Sequence, residues 1–186
     1  MPYQVSTAFN SLMNNFVNLD ADETRNGRRS RDWLVDEQLT GFPDKDDEFP
    51  LLSTTPKMWF GSFSRRTKIR ELDDIDMMIV MHAEGSTYTQ SGKTFYISPG
   101  ANSRFQNYLN ETGEWVNSRR VVNKFVSSLK SVPQYSAADS KRQGEAATLN
   151  LKSYTWNFDI VPAFLTKPDS NGNTFYLIPD GNGNWK

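Results

Sequence analysis

The stretch Leu72 to Met81, LDDIDMMIVM, restricts the fold more than any other part of the chain. Its trailing half, Ile79, Val80 and Met81, is continuously apolar, as expected of a strand covered on both faces. Its leading half carries acids instead. Side chains two apart on a strand share a face, so Asp74 and Asp76 project together while Ile75 and Met77 turn to the opposite, buried side. Two carboxylates on one face repel unless a cation lies between them, which makes them natural ligands for hard, oxygen-seeking ions such as Mg²⁺.

The flanking segments read as a mixture of helices and strands. Phe9, Leu12, Met13, Phe16 and Val17 recur at helical spacing behind Ser6 and Thr7, which are expected to cap an amphipathic helix. Asp20 with Glu23 resembles a capping box opening a second helix, with Trp33, Leu34 and Leu39 on its apolar side and Gly41, Phe42 and Pro43 at its end. Residues 43 to 56 read as an acidic, proline-bearing surface connection. Met58, Trp59 and Phe60 read as a strand broken by Gly61 and Ser62. Residues 83 to 116 offer one short strand, Thr94 to Ile97. Val121, Val122, Phe125, Val126 and Leu129 mark another helix, stopped by Pro133. Thr148 to Leu151 and Ser153 to Val161 look like paired strands, the second alternating Tyr154, Trp156, Phe158 and Ile160 against Asn157 and Asp159. Phe164 to Leu165 and Thr174 to Ile178 flank a turn at Asn171 and Gly172, a hairpin signal.

Composition narrows the function classes. With 12 Phe, 7 Tyr and 5 Trp in 186 residues, the chain can build one ordinary domain with a real core. The absence of cysteine removes disulfide frameworks and thiolate zinc sites. No apolar run nears the roughly 20 residues that span a bilayer, and a soluble, cytoplasmic protein is expected. The formal net charge of −1 gives no global attraction to nucleic acid. Two local basic groups, Arg25, Arg28, Arg29 and Arg31, then Arg65, Arg66, Lys68 and Arg70, read as solvated faces when taken alone.

The chemistry is expected where Gly61 and Ser62 precede Asp74 by residues 63 to 73. The glycine lets backbone approach a phosphate closely, and the serine hydroxyl and neighbouring amides can donate to its oxygens. Phosphoryl and nucleotidyl transfer need positioning and charge stabilisation more than covalent chemistry. Two metal ions roughly 3.5 to 4 Å apart supply both. Asp159 is the third carboxylate, on the face of its strand away from Trp156 and Phe158, and the three acids are expected to converge on a shared ion position. His82 has no serine and acid placed around it to form a hydrolase triad. Asp73 points to the other face and is left out of the site; Trp59, Trp156 and Phe158 are expected in the core.

Gly61-Ser62 followed after eleven residues by Asp74-Ile75-Asp76-Met77 resembles the signature of the polymerase-beta-like nucleotidyltransferases. The finer text, GSFSRRTKI, DDIDMMIVM, FDIVPAF and YLIPDGNGNW, is similar to the bacterial branch related to cyclic GMP-AMP synthase and oligoadenylate synthase (CD-NTases, SMODS-type). The resemblance implies an α+β fold, with a mixed, mostly antiparallel sheet packed on helices behind an N-terminal helical spine. Residues 1–40 would supply the N-terminal helices and residues 57–186 the catalytic sheet and helix, without the C-terminal helical domain that relatives carry. It implies that Gly61 and Ser62 contact the triphosphate, that Asp74 and Asp76 bind both of two Mg²⁺ or Mn²⁺ ions, and that Asp159 binds the catalytic one. The product would be a cyclic di- or trinucleotide used in anti-phage signalling, reaching a downstream effector protein only indirectly, with nucleoside triphosphates as direct partners and no membrane. Two other readings stay open: a transferase acting on RNA or protein, and a catalytically silent nucleotide-binding module.

Overall fold

The computed structural model describes residues 2–186. The chain opens with helix α1 (Pro2–Leu12), which runs on through a wider π-type turn at Met13–Val17. Ser6 and Thr7 therefore lie inside this helix and do not cap it. The apolar stripe is only partly covered: Phe9, Leu12 and Phe16 are exposed, as is Val5 one turn earlier, while Met13 and Val17 are half-buried. A backbone pair from Asn18 to Ile69, with the Arg70 side chain donating to the Asn15 carbonyl, ties this segment to the rest.

Helix α2 (Ala21–Trp33) begins as its sequence indicates, the Asp20 carboxylate accepting from the amides of Asp22 and Glu23 at 2.9 Å each. The reciprocal half of the box is replaced by a long-range contact, since the Glu23 carboxylate accepts from the Thr155 hydroxyl at 2.9 Å. Helical turns continue past Gly41 into α3 (Phe42–Lys45), where Pro43 occupies the first turn and costs no hydrogen bond.

The segment read as a loose surface connection is fastened instead. Phe49 is fully buried between Phe42 and Phe125, with ring centroids 5.2 and 4.7 Å away. The Arg104 guanidinium donates to the carbonyls of Pro43, Asp46 and Phe49, and Lys124 pairs with Asp46 and Glu48. The first strand then starts earlier than its apolar residues suggest, as β1 (Leu52–Trp59), and a four-residue turn of helix, α4 (Gly61–Ser64), follows it.

Strands β2 (Asp74–Met81), β5 (Asp139–Gln143), β6 (Ala146–Asn150), β7 (Asn157–Leu165) and β8 (Tyr176–Leu177) complete the main sheet, in the order β1-β2-β7-β6-β5 with β8 on the end of β7. The pair β2–β7 is parallel and the other pairs are antiparallel, which agrees with the mixed sheet expected. Pro162 has no N–H, and it falls between the β6 partners, which end at Ile160, and the β8 partners, which begin at Phe164. A separate hairpin, β3 (Thr87–Ser91) with β4 (Thr94–Ser98), stands off the sheet; only its second strand is apparent from the sequence.

Helix α5 (Ser118–Lys130) covers β5, β6 and β7 with Val121, Val122, Phe125, Val126 and Leu129, all buried. Phe158 is fully buried and Trp156 nearly so, whereas Tyr154 precedes the strand and is exposed. Trp59 is only partly buried, with the Arg31 guanidinium 3.9 Å over its ring.

Candidate active site

Parallel pairing of β2 and β7 sets Asp76 opposite Asp159 and Asp74 opposite Asn157. Alternation then does the rest. Ile75, Met77, Phe158 and Ile160 are buried in the core, while Asp74, Asp76, Asn157 and Asp159 are only partly covered and share the other face. The three acids singled out in the sequence thus sit on one face of two neighbouring strands.

Gly61 closes the site from the side of β1. Its φ of 75° is a left-handed conformation that glycine adopts without penalty, and a Cβ built there would stand 1.9 Å from an Asp76 carboxylate oxygen. The turn after β1 therefore lies directly against the carboxylate. Ser62 shapes the loop that follows, its carbonyl accepting from the amides of Thr67 and Lys68 at 3.0 and 3.2 Å. We expect Gly61→Ala to cost about 1–3 kcal/mol, because strain at positive φ adds to displacement of Asp76, and to lower any turnover about a hundredfold or more. Urea titration beside a product assay checks this; a variant with unchanged midpoint and turnover would refute it.

Each outer carboxylate is engaged elsewhere. Lys68 pairs with both Asp73 and Asp74, and the Thr148 hydroxyl donates to Asp159 Oδ1 at 2.6 Å. Asp73, left out of the site on its sequence position, is thereby coupled to it. A hydrogen bond with Asp73 raises the Asp74 carboxyl, reinforced by burial, while the same hydrogen bond and Lys68 lower Asp73. Asp76 is pushed up to about 6, first by burial and then by the negative charges of Asp74 and Asp159.

Among the described residues, no group of three or more His, Asp or Glu side chains stands arranged to hold a metal ion. The three acids expected to converge on one ion position therefore share a face without being gathered on such a point; Asp74 pairs with Lys68, and Asp159 accepts from Thr148. The donor set nevertheless fits a hard divalent cation, because it consists of carboxylate oxygens alone and the mutual repulsion felt at Asp76 is what such an ion relieves.

Beside Asp76 and Asp159 lies a cavity of about 380 Å³, bounded by Phe60, Met78 and the β5–β6 turn with Gln143 and Glu145. The sequence offers no signal for Thr148 or for this turn, whose position depends on the order of strands. The two basic groups partly merge, for Arg28, Arg66 and Lys68 line one pocket of about 210 Å³. His82 is exposed, its Nδ1 accepting from the Glu84 amide at 3.2 Å.

The fold is that of the polymerase-beta-like nucleotidyltransferases. It superposes on Escherichia coli MS115-1 CdnC, solved in complex with a HORMA-deltaN protein, with a TM-score of 0.54 over 86% of this chain and 41% of that one, at 16% sequence identity. No family model matches the sequence. The chain is 45% identical over 183 residues, 97% of its length, to a protein of Bacillus cereus (strain VD146) described as a probable cyclic nucleotide synthase. It spans about half of that relative, 55% of its length.

Proposed function

We propose that this chain is the catalytic core of a metal-dependent nucleotidyltransferase that joins nucleoside triphosphates into a cyclic di- or trinucleotide, with a ribose hydroxyl attacking an α-phosphate and pyrophosphate leaving. The observation that carries the reading is the contact of the Gly61 turn with Asp76, itself in register with Asp159. A phosphate-approach element and paired carboxylates meet at one point of the sheet. The description of the Bacillus cereus relative supports the cyclic product.

In this reading the Gly61–Ser62 turn receives the triphosphate, through its close-lying backbone and the amides of the first turn of α4, which have no partner within the helix. Asp74, Asp76 and Asp159 would hold two Mg²⁺ or Mn²⁺ ions, which supply charge stabilisation at the attacking and leaving oxygens. With that site filled, Lys68 would give up Asp74 while keeping Asp73 as a partner. The cytoplasm, where triphosphates are abundant, is the setting, and anti-phage signalling is the role that the family resemblance suggests. No helix of the described residues is long and apolar enough to cross a membrane.

The test is thin-layer separation of products from the four radiolabelled triphosphates with Mg²⁺ or Mn²⁺, with and without added RNA. A cyclic product supports the reading, and label transferred to RNA favours the polymer-directed alternative. Binding of triphosphate without turnover favours a silent module, a reading that the engagement of Asp74 by Lys68 also suits.

Competition at Asp74 has its own consequence. Lys68→Met should tighten Mn²⁺ binding about three- to tenfold, since the ion no longer displaces an ammonium group. Electron paramagnetic resonance of free Mn²⁺ measures it; equal affinity in the two proteins would show that Lys68 does not guard the carboxylates.

A further inference from the structure

A row of side chains crosses the sheet through the candidate site. Asp76 on β2 stands opposite Asp159 on β7, Asp159 opposite Thr148 on β6, and Thr148 opposite Lys141 on β5. Directly paired residues share a face, so the whole row lies on the face of the acids. Among the described residues, the one side-chain hydrogen bond to Asp159 comes from Thr148, whose hydroxyl stands 2.6 Å from Oδ1, whereas Lys141 pairs with Asp139 at 3.9 Å. An ionised carboxylate only accepts, so the hydroxyl donates, at the short separation typical of a charge-assisted bond.

The donor is fixed more firmly than the acceptor. Ala147 and Leu149, on either side of Thr148, are fully buried under α5, and the backbone of β6 is paired along both edges. Threonine branches at Cβ, which restricts its χ1. Thr148 is itself buried, and its hydroxyl is committed to this one partner among the described residues. Asp159, by contrast, is only partly covered and ends in a carboxyl group whose last torsion has broad wells. Holding Oδ1 stops that rotation.

The hold leaves the carboxylate usable. Asp159 lines the cavity beside Asp76 and Thr148 does not, so the threonine acts only through the acid. Asp74 is in the contrary position, because its partner is the Lys68 ammonium, a charge that an incoming cation must displace. A neutral hydroxyl on one oxygen of Asp159 imposes no such exchange.

We propose, on the reading that these acids hold divalent ions, that Thr148 is a positioning residue: it pins Asp159 Oδ1 and so presents the carboxylate to the metal. Removing a hydrogen-bond partner of a metal-ligating group commonly costs about ten- to hundredfold in metal affinity.

The test is electron paramagnetic resonance of free Mn²⁺ with the parent chain, Thr148→Val, Thr148→Ser, Asp159→Asn and the Thr148→Val, Asp159→Asn double variant. Thr148→Val keeps the shape of the side chain without its donor and should weaken Mn²⁺ binding about tenfold. Thr148→Ser keeps the donor but loses the methyl group, and should recover affinity to within about threefold of the parent. A packing role would give the reverse order. In the Asp159→Asn background the valine change should add less than about twofold, because its effect passes through that carboxylate. Unchanged or tighter Mn²⁺ binding in Thr148→Val, a serine variant as weak as the valine one, or a valine effect undiminished beside Asp159→Asn would each overturn the positioning role while leaving the ion site standing. Mn²⁺ binding to the parent that Asp159→Asn does not alter would instead remove the ion-holding reading of the acids, and the role of Thr148 with it.

Discussion

Asp76→Asn should abolish turnover and at the same time raise thermal stability near neutral pH. The carboxyl titrates near 3.8 in an unfolded chain and is pushed up to about 6 in the folded one. Between those values the folded chain keeps a proton that the unfolded chain has lost, so stability falls as pH rises through that window and the penalty is complete at neutrality. Asparagine carries no charge and escapes it. The advantage of the variant should shrink as pH falls through 6 and vanish near 4. The difference between these two values corresponds to about 3 kcal/mol. Asp76 is partly open to water, so screening reduces the expected gain to about 1 kcal/mol, or roughly 2–4 °C in Tm. Turnover should fall by about a thousandfold or more, because the carboxylate is central to the proposed ion site. Calorimetry at about pH 4 and about pH 7, beside the product assay, measures both effects. Near-normal product would sink the role given to Asp76, and equal melting at both pH values would sink the repulsion argument.

Trp185→Ala should bring the domain to the edge of unfolding. Trp185 is fully buried, its ring meets Phe164 edge-on at 5.0 Å, and its indole N–H donates to the Val116 carbonyl at 2.9 Å. Its backbone pairs with Phe95, joining the β3–β4 hairpin to the sheet region. Truncation leaves a large cavity and an unanswered carbonyl, a loss of about 3–5 kcal/mol against a total stability of about 5–15 kcal/mol for ordinary domains. The urea midpoint should drop by more than about 1 M. Trp185→Phe keeps most of the ring volume and should recover more than half of the loss. An alanine variant with the parent midpoint would show that this corner contributes little.

The shared face of the three acids is legible because its signals are local. Asp74 and Asp76 announce themselves by alternation within one strand, and the apolar run behind them marks that strand as central. Asp159 follows from the alternation of Phe158 and Ile160 around it. What the sequence does not reveal depends on partners far along the chain. β5 reads Asp-Ser-Lys-Arg-Gln and is polar throughout, since an edge strand exposes most of its side chains and gains its place from pairing with β6. β1 starts with Leu52, but Ser53, Thr54, Thr55 and Pro56 hide it, and Pro56 is tolerated because β1 is the opposite edge. The segment around Phe49 looked like a surface loop because its anchors, Arg104 and Lys124, come more than fifty residues later. In α1 periodicity indicates a helix but not whether anything covers its apolar side.

The parallel pairing of β2 with β7 also fixes when the candidate site comes into being during folding. A hairpin such as β5–β6 closes over a few residues and can zip early, whereas Asp76 and Asp159 meet only after the whole intervening chain, with β3, β4 and α5, has been gathered in. The carboxylate pair is therefore a late acquisition, absent from any partly folded chain in which those strands remain apart. A chain emerging from the ribosome would be chemically silent until β7 is released, and two fragments cut between β2 and β7 would regain the pair only by reassembling on one another.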